Sequence, residues 1–90
     1  MTRAELASVL ARTAGGSRAS ADRAVHAFLS AVQDSLRQGR PVTISGFGTF
    51  VVARRVARRG RDPRDGSAIT IAAARVPKFR PSRALRLSVR

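Results

Sequence analysis

The chain has 90 residues, with 18 lysines and arginines against 5 acidic residues, which gives a formal net charge of +13 on a sequence that is 43% hydrophobic. This length allows a single domain, and the apolar fraction is too high for a wholly disordered basic tail. Because the chain has no cysteine and one histidine, it lacks thiolate ligands and has little for acid–base chemistry. We therefore expect no enzyme, no bound metal and no cofactor.

The positive charge is concentrated in the second part of the chain. Residues 1–50 carry a net charge of +3, whereas residues 51–90 carry +10, which indicates a scaffold followed by a contact surface for a polyanion. No segment approaches the length of a membrane span, and the N-terminus lacks the long apolar run of a secretory signal. We expect a cytoplasmic protein with no membrane partner and no small-molecule substrate.

The sequence opens with signals for two helices joined by a tight turn. Thr2 and Glu5 form a capping box, which predicts a helix from about Arg3 to Ala14. Gly15-Gly16 ends this helix, and Ser17 is a good N-cap for the next one.

The second helix carries the strongest periodic signal in the chain. Its apolar residues fall on one face at helical spacing: Ala21, Ala24, Val25, Phe28, Leu29, Val32 and Leu36. Gly39 ends this helix, and Pro41 cannot continue it. The helix pair leaves a broad apolar face that needs a cover.

A hairpin is predicted after the helices. Val42 and Ile44 alternate with polar residues, and residues 49–52 are strand formers. The intervening Gly46-Phe47-Gly48 predicts a tight turn in which Phe47 anchors the core. A second use of this segment stays open, because glycine lets backbone N–H groups approach phosphates closely.

Residues 54–75 predict a basic hairpin that protrudes from the body, because they are too poor in apolar side chains to belong to a core. This segment contains a run of six arginines, namely Arg54, Arg55, Arg58, Arg59, Arg61 and Arg64. A charge run is usually a solvated face, but a two-stranded ribbon without a core is marginally stable, and repulsion weakens it further. Ten residues of strand span roughly 33 Å, which is enough to follow a groove around part of a duplex. We therefore predict duplex nucleic acid as the polyanion that this hairpin binds.

The tip of this hairpin has the turn sequence Asp62-Pro63-Arg64-Asp65-Gly66. Pro63 is explained as an ordinary turn former. Its place at the end of a basic arm also suits an apolar wedge that inserts between base pairs and kinks DNA.

The C-terminal segment predicts one more strand and an ambiguous last element. Pro77 and Pro81 flank Phe79, which indicates a short edge strand. Ser82 can cap a final helical turn, although the apolar residues from Leu85 to Val89 also alternate as in a strand.

Three groups of residues match a known family along the whole chain. They are the segment Gly46-Phe47-Gly48-Thr49-Phe50; the arm residues Arg55, Arg58, Gly60, Arg61, Pro63 and Gly66; and Thr2, Glu5, Leu6, Ala24, Val25, Ala27, Phe28, Leu29, Val76, Pro77, Phe79, Pro81, Ala84 and Leu85 outside the arm. The sequence thereby resembles the HU and integration host factor (IHF) family of bacterial DNA-binding proteins, and most closely HU.

The resemblance implies an α+β fold made of a single domain, residues 1–90, in an intertwined dimer. Residues 1–53 would form a two-helix base and the saddle strands of a three-stranded antiparallel sheet, residues 54–75 a protruding β-ribbon arm, and residues 76–90 the return strand and a short C-terminal helix. The chain would be an architectural protein that organises the nucleoid. Its partners would be double-stranded DNA and a second copy of the chain, or a paralogue.

The resemblance and the charge pattern together give two sets of expected site residues. The expected DNA contacts are Arg3, Gly46, Arg54, Arg55, Arg58, Arg59, Arg61, Pro63, Arg64, Arg75, Arg80, Arg83 and Arg86, with Pro63 intercalating from the minor groove. The expected dimer core is Phe28, Leu29, Val32, Leu36, Phe47, Phe50 and Phe79.

Several residues depart from the family pattern. Asp62 stands where Asn or Lys is usual, and Asp65 where Thr or Asn is usual. We expect these acids to weaken the approach of the arm tip to the groove or to reset its geometry. Gly16 removes an apolar residue before the helix cap, and Ala72 replaces a common arm proline.

Four alternatives stay open beside a largely non-specific DNA-bending protein. One is a sequence-selective subunit of the IHF type, and another is a protein that coats or bridges DNA without strong bending. An RNA-binding module would share the charge but lacks Tyr and Trp for stacking on bases. A cationic membrane-surface protein would share the amphipathic helices.

Overall fold

The computed structural model describes residues 1–90 as three α-helices and five β-strands. The helices are α1 (Arg3–Ala14), α2 (Arg18–Arg37) and α3 (Arg83–Val89), and the strands are β1 (Val42–Ile44), β2 (Gly48–Arg55), β3 (Arg58–Arg61), β4 (Ala68–Ile71) and β5 (Ala74–Pro81).

The first two helices begin where their capping residues predict. The Thr2 hydroxyl accepts a hydrogen bond from the Glu5 backbone N–H at 3.2 Å, and the Ser17 hydroxyl accepts one from the Ser20 N–H at 3.0 Å. The helices pack through small residues, and Ala7 and Ala21 are 0% and 4% exposed. The predicted helix hairpin is confirmed.

The main sheet is antiparallel, with the strand order β1-β2-β5. The turn between β1 and β2 contains Gly46 at φ +76°, a left-handed conformation that favours glycine. Gly48 is required for a different reason, since a Cβ atom there would lie 2.5 Å from the Phe79 ring and 2.5 Å from the Arg80 carbonyl oxygen. The predicted hairpin is confirmed, and its glycines have separate structural roles.

The main sheet extends into the segment predicted as the arm. Arg55 still pairs with Ala74, and β5 is longer than the short edge strand that its two prolines indicate. Both prolines are tolerated because β5 lies at a sheet edge. A separate two-stranded sheet, β3–β4, continues beyond this point, and we call residues 58–71 the ribbon.

The last element is a helix. The Ser82 hydroxyl accepts the Leu85 N–H at 3.1 Å, and the Ser82 N–H donates to the Phe47 carbonyl at 2.8 Å. Ser82 therefore both caps α3 and fixes its start against the β1–β2 turn, which decides between helix and strand for the C-terminal segment.

The single chain is open and has almost no core. Its accessible surface is 7277 Å², whereas a compact monomer of this mass exposes about 5,100 Å². Its radius of gyration is 18.6 Å, against about 12 Å for a globular domain of this length. Residues of the expected dimer core stay exposed, with Phe28 at 50%, Leu29 at 43% and Phe47 at 44%. The aromatic rings of Phe47 and Phe50 contact only Phe79 among aromatic residues, at centroid distances of 5.3 and 4.8 Å.

Candidate nucleic-acid interface

The strand register divides the side chains of the main sheet between two faces. Directly paired residues share a face and successive residues alternate. Phe50 pairs with Phe79, and Val52 pairs with Pro77, on one face. Val52 and Pro77 line a groove together with Leu36 of α2, so this is the face that packs on the helices.

The opposite face of the main sheet, which we call the open face, carries Arg55, Lys78 and Arg80, because these residues alternate with those of the helix-facing side. The same register places the apolar residues Val51, Ala53 and Val76 between these cations. The hydroxyls of Thr43 and Thr49 lie 3.3 Å apart on the same face. Cations and small hydroxyl donors on a shallow sheet surface suit contacts with a phosphate backbone.

Two predicted DNA contacts on the main sheet lie on the opposite face from Arg80. Arg54 and Arg75 pair with each other on the helix-facing side of the sheet. The Arg75 Nη2 atom donates to the carbonyl oxygens of Leu36 and Arg37, each at 3.2 Å. Gly46, in contrast, is in the turn that borders the open face, where a Cβ atom would meet nothing within 4 Å.

The ribbon also has two unlike faces. Arg59 and Arg61 share a face with Thr70 and Ala68, and these partners are small, so the two guanidinium groups project beyond their neighbours on that face. The other face carries Arg58 with the two isoleucines of β4. A Cβ atom at position 60 would lie 3.2 Å from the Ile71 Cδ1 atom, so a larger residue there would require the Ile71 side chain to shift by a few tenths of an ångström.

The ribbon arginines lack acidic partners, apart from Arg64 at the tip. The three ion pairs of the chain are Arg18–Asp22, Arg37–Asp34 and Arg64–Asp62. Arg61 bonds instead to the Gly66 carbonyl at 3.0 Å. The predicted contacts Arg58 and Arg59 of the ribbon and Arg54 and Arg55 at the end of the main sheet therefore keep a positive charge that no carboxylate neutralises. The predicted residues Arg58, Arg59, Arg61, Pro63 and Arg64 lie together on the ribbon.

The tip of the ribbon is ordered by its acids. The Asp62 carboxylate accepts the Arg64 backbone N–H at 2.9 Å and two guanidinium bonds at 3.2 and 3.1 Å. The Asp65 carboxylate accepts the Ser67 N–H at 2.8 Å. These bonds hold Pro63 at the exposed apex of the turn.

The same bonds affect the acidity of both carboxyls. The side-chain bond from Arg64, followed by its backbone N–H, lowers the pKa of Asp62. The backbone N–H of Ser67 lowers the pKa of Asp65. Both acids are therefore ionised at neutral pH, and the Asp62 charge is matched by Arg64.

The remaining predicted contacts flank the sheet. Arg3 begins α1, and its Nη2 atom lies 2.9 Å from the Nδ1 atom of His26 in α2. Because a guanidinium can only donate, this His26 nitrogen accepts the bond. Arg83 and Arg86 are exposed on α3.

Sequence reasoning missed two features of this surface. Lys78 is absent from the expected contacts although it shares the open face with Arg80, and period-two spacing along β5 could have identified it. The bond between Arg75 and the end of α2 joins residues 38 and 39 positions apart, and no local pattern signals it.

The acidic and imidazole side chains do not gather at any one place. The structure places no group of three or more His, Asp or Glu side chains where they could hold a metal ion together. None of the helices has the length and apolar content that crossing a bilayer requires.

The chain belongs to a family of bacterial DNA-binding proteins, since the family model described as "Bacterial DNA-binding protein" matches residues 1–90. It is 46% identical over 89 residues to DNA-binding protein HU-beta of Escherichia coli K12, covering 99% of both chains. It is 40% identical over 90 residues to DNA-binding protein HU of Geobacillus stearothermophilus, covering all of both.

A solved structure agrees with this assignment. The chain is similar to Anabaena HU in a cocrystal with DNA, with a TM-score of 0.93 and 34% identity over 99% of this chain and 97% of that one. The HU fold predicted from the resemblance, with its helix hairpin, antiparallel strands and short C-terminal helix, is confirmed.

Proposed function

We propose that this chain forms a homodimer that binds double-stranded DNA through phosphate contacts on the sheet and two ribbons inserted in the minor groove. Binding has little sequence preference and bends the duplex, so the protein organises the nucleoid in the cytoplasm. The function is architectural and has no catalytic step. Preference among sites follows the deformability of the DNA.

The observation that carries this proposal is the ribbon. It is a protruding, coreless sheet whose strand arginines lack carboxylate partners. Such a sheet is marginally stable in isolation, and a bound polyanion relieves its repulsion. Membership of a DNA-binding family and similarity to an HU–DNA complex both favour DNA as that polyanion.

The dimer is supported by the apolar surface that one chain leaves uncovered. Phe28, Leu29 and Phe47 are each more than two-fifths exposed, and full burial of one such side chain stabilises by about 1.5–3 kcal/mol. A second copy would supply the cover that helices of this chain do not.

The bending step is assigned to Pro63. It is exposed at the apex of a turn whose backbone is fixed by Asp62 and Asp65. A proline offers an apolar edge and no N–H group, so it can enter between base pairs without leaving a donor unpaired.

Energy transfer between dyes on the two ends of a duplex of about 35 base pairs tests the proposal, because bending shortens the distance between the ends. Intact and nicked duplexes are titrated at two salt concentrations. We expect a rise in transfer that is larger on nicked DNA and smaller at high salt. The Pro63→Ala variant should show a larger decrease in energy transfer than in DNA affinity. Unchanged energy transfer in that variant would contradict the proposal that Pro63 inserts between base pairs.

A second candidate function is coating or bridging of DNA without strong bending. The two acids beside Pro63 favour it, because negative charge at the tip opposes close approach to phosphates. Tight, salt-sensitive binding with no change in transfer on either duplex would establish this alternative.

A further inference from the structure

The root of the arm is bonded to the end of a helix. Arg75 lies in β5 opposite Arg54, one pair before the main sheet ends at Arg55 and Ala74. Its Nη2 atom donates to the carbonyls of Leu36 and Arg37, which are the last two residues of α2. One guanidinium nitrogen thus joins the arm to the helical base.

Neither carbonyl has the donor four residues on that a regular helix supplies, although the Leu36 carbonyl accepts the Gly39 backbone N–H at 2.9 Å. The backbone N–H four residues after Leu36 belongs to Arg40, and it donates to the Ser35 carbonyl at 2.9 Å instead. The residue four positions after Arg37 is Pro41, which has no N–H group. Terminal helix carbonyls attract cations, because the helix dipole places partial negative charge there. Arg75 supplies both a donor and the positive charge that suits this helix end.

The sheet register argues against a phosphate contact for Arg75. Its side chain is on the helix-facing side of the main sheet, whereas Arg55, Lys78 and Arg80 occupy the open face. Its side chain also lines the groove between α2 and the sheet. To bind a phosphate on the open face, Arg75 would have to give up its two bonds to the Leu36 and Arg37 carbonyls on the helix-facing side.

The connection between ribbon and body makes the root important. Residues 56–57 and 72–73 lie in neither sheet, so strand pairing does not run continuously from β2 and β5 into the ribbon. The last contact that fixes the arm against the helices is therefore at the end of the main sheet.

We propose that Arg75 is a positioning residue that ties the root of the arm to the carboxyl end of α2 and thereby sets the angle at which the ribbon meets DNA. This inference rests on the proposed function, in which the ribbons bind and bend the duplex. It replaces the expectation that Arg75 is itself a DNA contact.

Three substitutions that each remove one positive charge per chain test the inference. Arg75→Ala breaks the bond to α2, and Arg55→Ala removes a charge from the open face. Arg23→Ala removes an exposed charge of α2 that lies in none of the ion pairs. Each is assayed for end-to-end energy transfer at saturating protein on a nicked duplex, and for the slope of log affinity against log salt. Removal of one phosphate contact lowers the magnitude of this slope by about 0.9.

We expect Arg75→Ala to reduce transfer at saturation by half or more with a slope close to wild type. Arg23→Ala should leave both quantities near wild type. Arg55→Ala should lower the magnitude of the slope by about two units, one contact in each copy of the dimer, while transfer at saturation is retained. If Arg75→Ala instead matches Arg55→Ala in both quantities, Arg75 is a phosphate contact and the inference fails. Wild-type transfer in Arg75→Ala overturns it as well.

A measurement without DNA separates this inference from the proposed function. In the free dimer, the carbonyl ¹³C shifts of Leu36 and Arg37 should change in Arg75→Ala and stay constant in Arg23→Ala. Unchanged shifts would overturn the bond itself. If the wild-type protein fails to bend any duplex, the proposed function fails, while these shifts still decide whether Arg75 holds α2.

A second variant covers the case in which Arg75→Ala does not fold. Arg75→Lys keeps the charge and nearly the length but replaces the planar fork with a single ammonium group. We expect Arg75→Lys to keep the wild-type salt slope and to show energy transfer at saturation below that of the wild type but above zero. Transfer equal to wild type together with changed carbonyl shifts of Leu36 and Arg37 would overturn the positioning role, because the bond would be lost without loss of bending.

Discussion

The helical base and the ribbon are both incomplete in a single chain, for opposite chemical reasons. The base exposes apolar side chains such as Phe28, which is 50% exposed, and the ribbon exposes arginines without carboxylate partners. An apolar face is completed by another apolar face, whereas a basic ribbon is completed by a polyanion. The kind of group left uncovered therefore identifies the kind of partner, and the two regions call for different ones.

The largest expected effect breaks the base and spares the ribbon. Phe28→Ala should cost about 3–5 kcal/mol of dimer stability, as truncation of a buried aromatic does. Val56→Ala is the matched control, since Val56 is 74% exposed between the sheet and the ribbon, and a surface change there should stay within about 0.5 kcal/mol. Denaturation and sedimentation equilibrium at several protein concentrations measure both. Equal small losses would show that Phe28 is not covered in the dimer.

The next effect breaks the ribbon and spares the base. Replacing Arg58 and Arg61 of the ribbon together with Arg55 at the end of the main sheet by Ala should lower the magnitude of the salt slope of DNA binding by about five units. This corresponds to about 0.9 for each phosphate that is no longer neutralised, counted over both copies in the dimer. Unfolding should be unchanged or slightly harder, because repulsion falls.

A charge-matched control decides whether position or net charge controls this slope. Arg12, Arg23 and Arg40 are exposed residues outside the ribbon and in none of the three ion pairs. Their combined replacement with Ala removes the same charge and should change the slope by less than about one unit. Equal slopes for the two triple variants would contradict the assignment of the ribbon as the main DNA contact.

Sequence predicted the elements whose signals are local and left open those that depend on distant contacts. The caps Thr2 and Ser17 and the glycine turn at Gly46 act within a few residues, so both helices and the hairpin could be located in advance. The C-terminal helix is predicted by the Ser82 cap and by the family resemblance, but the residue pattern alone leaves helix and strand open. Its start is also fixed by a bond from the Ser82 N–H to the carbonyl of Phe47, which comes 35 positions earlier.

The same distinction applies to the site. Charge density located the arm, yet the faces of the main sheet depend on register, which placed Lys78 on the open side and Arg75 on the helix side. The acids at the tip look like obstacles in the sequence, since the bonds that they accept become visible only when the turn is closed.

A smaller effect on DNA binding and bending is expected from substitution of Asp62 at the tip of the ribbon. Asp62→Asn and Asp62→Ala both remove the negative charge, but only the Asn amide oxygen can still accept the Arg64 N–H. We expect Asn to preserve the turn and tighten binding several-fold at low salt, because Arg64 is released. Ala should lose a bond of about 0.5–1.5 kcal/mol and bend DNA less.

The readout for this pair is energy transfer at saturation beside affinity at two salt concentrations. If both variants bend DNA equally, the Asp62 oxygen does not position Pro63. If Asn weakens binding, the carboxylate contributes something other than repulsion toward phosphates.

The smallest effect separates the two acids from each other. Arg64→Ala should raise the pKa of Asp62 toward its ordinary value, because the Arg64 side chain is the main cause of its lowering. The pKa of Asp65 should stay low, since the Ser67 N–H sets it. A carboxyl with a lowered pKa stabilises the folded turn fully above its ordinary value, about pH 4, and loses that contribution as the pH falls through the lowered value. The stability of the turn is thus insensitive to pH near neutrality. NMR titration of both carboxyl carbons, in the wild type and in Arg64→Ala, measures the pH range over which each carboxyl titrates. Parallel movement of the two midpoints would show that the tip titrates as one unit, so that Arg64 holds Asp65 as well as Asp62 in the turn.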